Sequence, residues 1–235
     1  MGLIKGANVG PNGLEFTHLQ FADDTILFCE EDSMVITTLK RILRCFEIMS
    51  GLKINFHKSV VCGIGISETL VNDFSSKLNC LTQKLPLKYL GLPLGANPRR
   101  KATWKPVLDK FKSKLSGWKK RLLSFAGRLT LIKSVLSNLP IFYLSLFKMP
   151  KGVIKEVDKI QASFLWGDTE VKRKVHLVNW KVVSMSKNQG GLGGRSLGQV
   201  NECLLAKWWW RFCNEKQALW RRLICCKYSS RSGSW

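Results

Sequence analysis

Hydrophobic positions along the chain change period. Residues 15–20 and 25–29 are short β-prone runs, and Phe21-Ala22-Asp23-Asp24 lies between them. That pattern predicts a hairpin with two carboxylates at its turn. Asp32 or Ser33 can cap a helix running to about Met49, with Val35, Leu39, Ile42, Leu43, Phe46 and Met49 at helical spacing and Gly51 as its stop. Residues 58–64 read as a strand. Residues 67–78 read as a short helix with Leu70, Val71, Phe74 and Leu78 on one side. Residues 88–94, broken by Gly91 and Pro93, suit a hairpin better than a helix.

Beyond that point the period becomes helical. Pro106 suits a first helical turn, and Val107, Phe111, Leu115 and Trp118 follow as one stripe. Ser124 can cap a helix through Leu139 that Pro140 stops. Val153, Val157, Ile160 and Phe164 make the next stripe, ending at Trp166-Gly167. A glycine-rich break at residues 190–194 precedes two last helices, about 197–213 and 216–228. The expectation is an α+β chain: a β-hairpin and sheet remnant, then a mostly α-helical region. It divides into residues 1–98, 99–167 and 168–235. The successive complete stripes of residues 102–228 predict the more autonomous part, and the short hairpins of residues 1–85 the less stable one.

Charge sharpens this division. The chain has 235 residues, 45% of them hydrophobic, enough for a real core. Its 38 basic and 16 acidic residues leave a net charge of +22. Residues 1–85 sum to −1 and residues 86–235 to +23; residues 99–133 alone hold 12 basic residues and one acid, Asp109. Such a field points to a polyanion, nucleic acid before an anionic membrane surface. The longest apolar run, residues 141–147, is too short to span a bilayer, so no membrane partner is expected. The N-terminus lacks the apolar stretch of a secretory signal, and eight scattered cysteines suit reduced intracellular thiols.

Within the helix after Pro106, two basic rows flank the apolar stripe: Lys105, Lys112 and Lys119 on one side, Lys110, Lys114 and Arg121 on the other. Lysines projecting beside a packed seam suit a phosphate backbone. Trp208, Trp209 and Trp210 stand about 100° apart on a helix, so they cannot share one core. Trp208 continues a stripe with Phe212. Trp210 shares a face with Cys203, Lys207 and Asn214, as a packing contact or a stacking platform for a base. Cys203, Cys213, Cys225 and Cys226 are spaced ten, twelve and one apart, with no Cys-x2-Cys knuckle, so zinc is not expected.

Two adjacent aspartates at an apolar hairpin tip are costly unless they face water, cap something or bind a cation such as Mg²⁺. The segment LQFADDTILF, with SGLKINFHKS at residues 50–59, LKYLGLPLG at 87–95 and the basic helices and GGLGG that follow, resembles plant LINE-type (non-LTR) retrotransposon reverse transcriptases. The resemblance implies partial palm, thumb and post-thumb regions in the three divisions above. It implies Mg²⁺-dependent nucleotidyl transfer on an RNA template and a DNA primer, in the nucleus. Asp23 and Asp24 would hold the metal, Lys58 would lie near the incoming triphosphate, and Tyr89 and Gly91 would grip the primer. The 22 residues before Asp23 hold one acid, Glu15, so the resemblance implies that the family's first catalytic aspartate is missing from this stretch. The chain is expected to be a fragment, inactive alone without the missing N-terminal palm and fingers. The competing readings are a non-catalytic, basic nucleic-acid-binding helical module and a helical protein-interaction domain.

Overall fold

The computed structural model describes residues 4–10, 13–118, 123–167 and 175–228. The chain forms two units, Met1–Gly95 with Glu215–Trp235, and Ala96–Asn214.

The first unit mixes helices with four separate two-stranded sheets. Strand β1 (Ala7–Val9) pairs antiparallel with β2 (Leu14–Phe16), and β3 (His18–Phe21) with β4 (Asp24–Leu27). The run at residues 15–20, expected as one strand, is broken at Thr17. Phe16 ends one pair and His18 begins the next, while the Thr17 carbonyl accepts from Phe28 N at 2.8 Å. Helix α1 (Ser33–Ser50) starts where Asp32 accepts from Met34 N and stops where Gly51 turns left-handed at φ 70°.

Of the strand expected at residues 58–64, only β5 (Val60–Val61) forms; it runs parallel to β6 (Leu81–Thr82). Asn55 consumes the start of that strand, its carbonyl accepting from Ser59 N and its Oδ1 from Lys58 N, both at 3.1 Å. Helix α2 (Glu68–Leu78), capped by Ser67, joins the two strands. Ile36, Phe74 and Leu78 form a small core, with Cys29, Val61, Ile66 and Cys80 packed around it. Strands β7 (Leu87–Tyr89) and β8 (Leu92–Leu94) make the expected hairpin. Its turn holds Leu90 at φ 50° and Gly91 at φ 80°, the two left-handed residues that a tight hairpin turn requires.

The second unit is helical. A 3-10 turn, Lys101–Trp104, leads into α3 (Lys105–Gly117). Trp104 is fully buried and donates from Nε1 to the Pro98 carbonyl at 2.8 Å. Helix α4 (Phe125–Leu131) is capped by Ser124 as expected. The helix does not run regularly to Leu139: at Ile132–Leu136 it widens into a π turn. Ser137 causes this locally, since both its N and its Oγ donate to the Ile132 carbonyl at 2.9 Å. Then come α5 (Ile141–Leu144), α6 (Lys151–Trp166), α7 (Trp180–Val183) and α8 (Leu197–Asn214). Helix α9 (Leu219–Tyr228) belongs to the first unit and packs on β1; a Cβ on Gly10 would meet the Cys226 carbonyl oxygen at 2.3 Å.

Helix α6 packs against α3, α4 and α8. Val153, Val157 and Phe164 are fully buried as the stripe predicts, but Gln161 is buried in place of Ile160. The covered arc of α6 runs about 180° from Val153 to Ala162, and Ile160 falls at its edge. Asn201 on α8 holds the segment leading into α6. Its Oδ1 accepts from Met149 N at 2.8 Å, and its Nδ2 donates to the carbonyls of Leu144 and Phe147 at 2.7 and 2.9 Å. Seven residues on, Trp208 Nε1 donates to the Ser145 carbonyl. One face of α8 thus satisfies four backbone groups at the end of α5 and in the connection that leads to α6.

Candidate nucleic-acid interface

The interface is built on α3. Pro106 occupies its first turn, and Val107, Leu108, Phe111 and Leu115 are buried. The seam fixes the helix rotation, so the residues beside it must face outward. Lys105, Lys110, Lys112 and Lys114 are all exposed. At 100° per residue, Lys105 and Lys112 stand about 20° apart, and Lys110 and Lys114 about 40° apart. The two rows lie about 180° from each other, on opposite flanks of the seam. One strand can therefore track one row at a time. Asp109 is the single acid on this helix. Lys119 and Arg121, the expected ends of the rows, lie outside the described residues.

Net charge follows the same boundary. Ala96–Asn214 carries 24 basic and six acidic residues, a net of +18, and leaves +4 for the other unit. Only one ion pair within it joins described residues, Lys101 Nζ to Glu156 Oε2 at 2.6 Å. Lys133 and Lys187 both approach Gly193, and Arg195 follows two residues on, as a second basic group. Linear spacing did not single it out, because its members come from three elements.

Of the two readings of Trp210, its exposure speaks against a packing contact. Trp209 and Trp210 are 65% and 67% exposed, while Trp208 is half-buried under the guanidinium of Arg211, 4.8 Å above its ring. Trp209 meets Phe212 edge-on at 6.5 Å. Helix α8 thus exposes two large aromatic rings, and Trp210 lies beside Lys207.

The remaining candidates belong to the first unit. Asp23 sits in the β3–β4 turn after Ala22 at φ 52°, and Asp24 pairs across the hairpin with Phe21, which is 63% exposed. Among the described residues, no group of three His, Cys, Asp or Glu could hold a metal ion. Two carboxylates on an exposed hairpin tip do not fit a Mg²⁺ site that needs ligands from more than one segment. Lys58 is exposed in the Asn55 turn. Tyr89 ends β7, and Gly91 shapes the following turn. Asp23/Asp24, Lys58 and Tyr89/Gly91 therefore stand on three different pieces of structure, none of them α3.

Among the described residues, no helix is long and apolar enough to cross a membrane. On Asp158, burial pushes the carboxyl above the usual carboxylate range, against the hydrogen bond from Trp180 Nε1 at 3.1 Å.

No protein-family model matches the chain. Two plant proteins do. Over 128 residues, 54% of the chain, it is 41% identical to an Arabidopsis thaliana protein that carries the provisional name ribonuclease H protein. Over 95 residues, 40% of the chain, it is 36% identical to an uncharacterized mitochondrial protein of the same plant. These stretches span 21% of the first relative and 62% of the second. Neither relative is named as a polymerase. The assignment to a reverse transcriptase is therefore corrected: the relatives point to a protein named for ribonuclease H. The roles that the polymerase resemblance implied for Asp23, Asp24, Lys58, Tyr89 and Gly91 lose their support with it.

Proposed function

We propose that Ala96–Asn214 is a non-catalytic nucleic-acid-binding unit that grips the phosphate backbone with little regard to sequence. The observation that carries this is the pairing of a fully buried apolar seam on α3 with four outward lysines, in a unit of net charge +18. A buried seam makes the lysines a fixed array rather than a flexible tail, and each phosphate they neutralise releases counterions. The relatives support a coarse relation to retroelement-derived plant proteins, and a name built on a ribonuclease agrees with an RNA-handling protein.

Fluorescence anisotropy of labelled RNA and DNA oligonucleotides across a salt series tests this. Affinity should fall with salt at a logarithmic slope of about −0.7 to −0.9 per phosphate contact. Reversing Lys112 and Lys105 to Glu should flatten the slope and weaken all sequences alike, since phosphate contacts position without reading bases. Weak binding at low salt, or a slope unchanged by the reversal, would reject α3 as the surface.

A further inference from the structure

The loop at residues 190–194 looks like a flexible break in the sequence, but the structure pins it. Gly191 N donates to the Ser186 carbonyl at 3.0 Å, Leu192 N to Val183 at 3.1 Å, and Gly193 N to Met185 at 2.8 Å. A Cβ on Gly191 would lie 2.3 Å from the Met185 oxygen, and Gly193 takes φ +69°. The glycines are therefore required by a tight, hydrogen-bonded fold-back.

Basic side chains gather over this rigid loop. A Cβ on Gly193 would meet Lys133 Nζ at 3.4 Å and Lys187 Cγ at 3.6 Å. Two lysines, 54 residues apart in sequence and brought in by the π turn and by the short turn Lys187–Gln189, thus converge on one glycine. Arg195, two residues on, turns its Nη1 toward Asn138 Oδ1 at 3.5 Å, at the end of the segment that carries Lys133. Among the described residues no acid pairs with them. Residues 110–155 and 171–201 contain no Asp or Glu. Asp158 on α6 is taken up by Trp180. Like charges held together on a fixed scaffold repel, and an anion relieves that repulsion.

We infer that Lys133, Lys187 and Arg195 form a cradle for a backbone phosphate of nucleic acid, over the pinned glycine loop. This deepens the proposed function and rests on it. Lys187 and Arg195 are exposed and Lys133 is half-buried, so the cradle is an open shelf. An open shelf holds a phosphodiester that a longer strand keeps in place through other contacts; it lacks the enclosure that retains a small free anion.

The test removes the same charge from two places in the full-length chain. Lys133→Gln, Lys187→Gln and Arg195→Gln together should weaken oligonucleotide binding at least tenfold and make the salt slope shallower by about two contacts. The matched triple Lys151→Gln, Lys155→Gln and Lys159→Gln, on an exposed row of α6, should weaken it less than threefold. Circular dichroism checks that both fold. Gly193→Ala, which keeps every charge but strains the left-handed backbone under Lys133 and Lys187, should lose affinity severalfold. Equal losses from the two triples would overturn the cradle while leaving nucleic-acid binding by the unit intact. No binding by the unaltered chain would overturn both. Displacement of the oligonucleotide by inorganic phosphate beyond that by chloride at equal ionic strength would show a free-anion site and also overturn the proposal.

Discussion

Among the described residues, Ala96–Asn214 buries seventeen apolar side chains, whereas Met1–Gly95 buries five. The difference lies in the architecture. Two-stranded sheets have nothing to cover both faces, and the strands β3 and β4 stay almost wholly exposed. Helix α1 shows the same deficit: Ile36 and Leu39 are buried, but Met34, Ile42, Phe46, Ile48 and Met49 remain exposed. In the other unit, α6 is covered over about half its circumference by three helices. Charge runs the opposite way, +4 against +18. A basic surface can be carried at such density only on a scaffold whose core resists the self-repulsion, and the well-packed unit is the one that carries it.

The largest expected effect lies in the core of Ala96–Asn214. Phe111→Ala should cost about 3–5 kcal/mol and remove most of the helical circular-dichroism signal. Leu78→Ala strikes the small core of the first unit, where about 2 kcal/mol is expected and most of the helical signal should survive. If Leu78→Ala melted the helices as fully as Phe111→Ala does, the units would not differ as described.

Smaller effects sharpen the picture. Gln161 is fully buried, and neither of its amide atoms has a partner among the described residues. Gln161→Leu should therefore raise stability by about 1–3 kcal/mol in chemical denaturation, with an unchanged slope. Trp210→Ala should weaken single-stranded binding by about 1–3 kcal/mol and spare duplexes, since an exposed indole beside Lys207 can stack on an unpaired base. An equal loss on both would assign that ring no stacking role.

The smallest effect depends on pH. The half-buried Asp158 carboxyl binds its proton more tightly folded than unfolded, so its contribution to stability is present below the unfolded pKa and lost as pH rises through the folded one. Asp158→Asn keeps an acceptor for Trp180. It should raise the melting temperature slightly at neutral pH and leave it unchanged in acid. A fall at neutral pH would show that the carboxylate charge is useful there.

Much of this was legible in the sequence. Asp32 and Gly51 bracket α1, Ser67 starts α2, Pro106 opens α3, and Gly91 turns the β7–β8 hairpin, each through a rule that acts within a few residues. The losses came where distant groups decide. The run at residues 15–20 splits at Thr17 because Phe16 pairs with Ala7 while His18 pairs with Leu27. The phase of α6 drifts from Ile160 to Gln161 because several neighbours cover it. Helix α8 mixes apolar and polar residues around its whole circumference, so its pattern could not say that Trp209 and Trp210 face outward. The α3 lysines were legible as rows, but not the meeting of Lys133, Lys187 and Arg195, which only tertiary structure produces. The paired aspartates invited a polymerase reading, yet the structure gives them no third ligand among the described residues, and the relatives carry other names.

Ala96–Asn214 holds nucleic acid in this proposal, and the other unit does not. Lysine-modification footprinting of the full chain, with and without a single-stranded oligonucleotide at low salt, tests it most directly. Lys105, Lys110, Lys112 and Lys114, or one flank of that set, should lose reactivity on binding. Lys40, Lys53, Lys77 and Lys88 should keep theirs. Protection of the second group with the first left reactive would contradict the account.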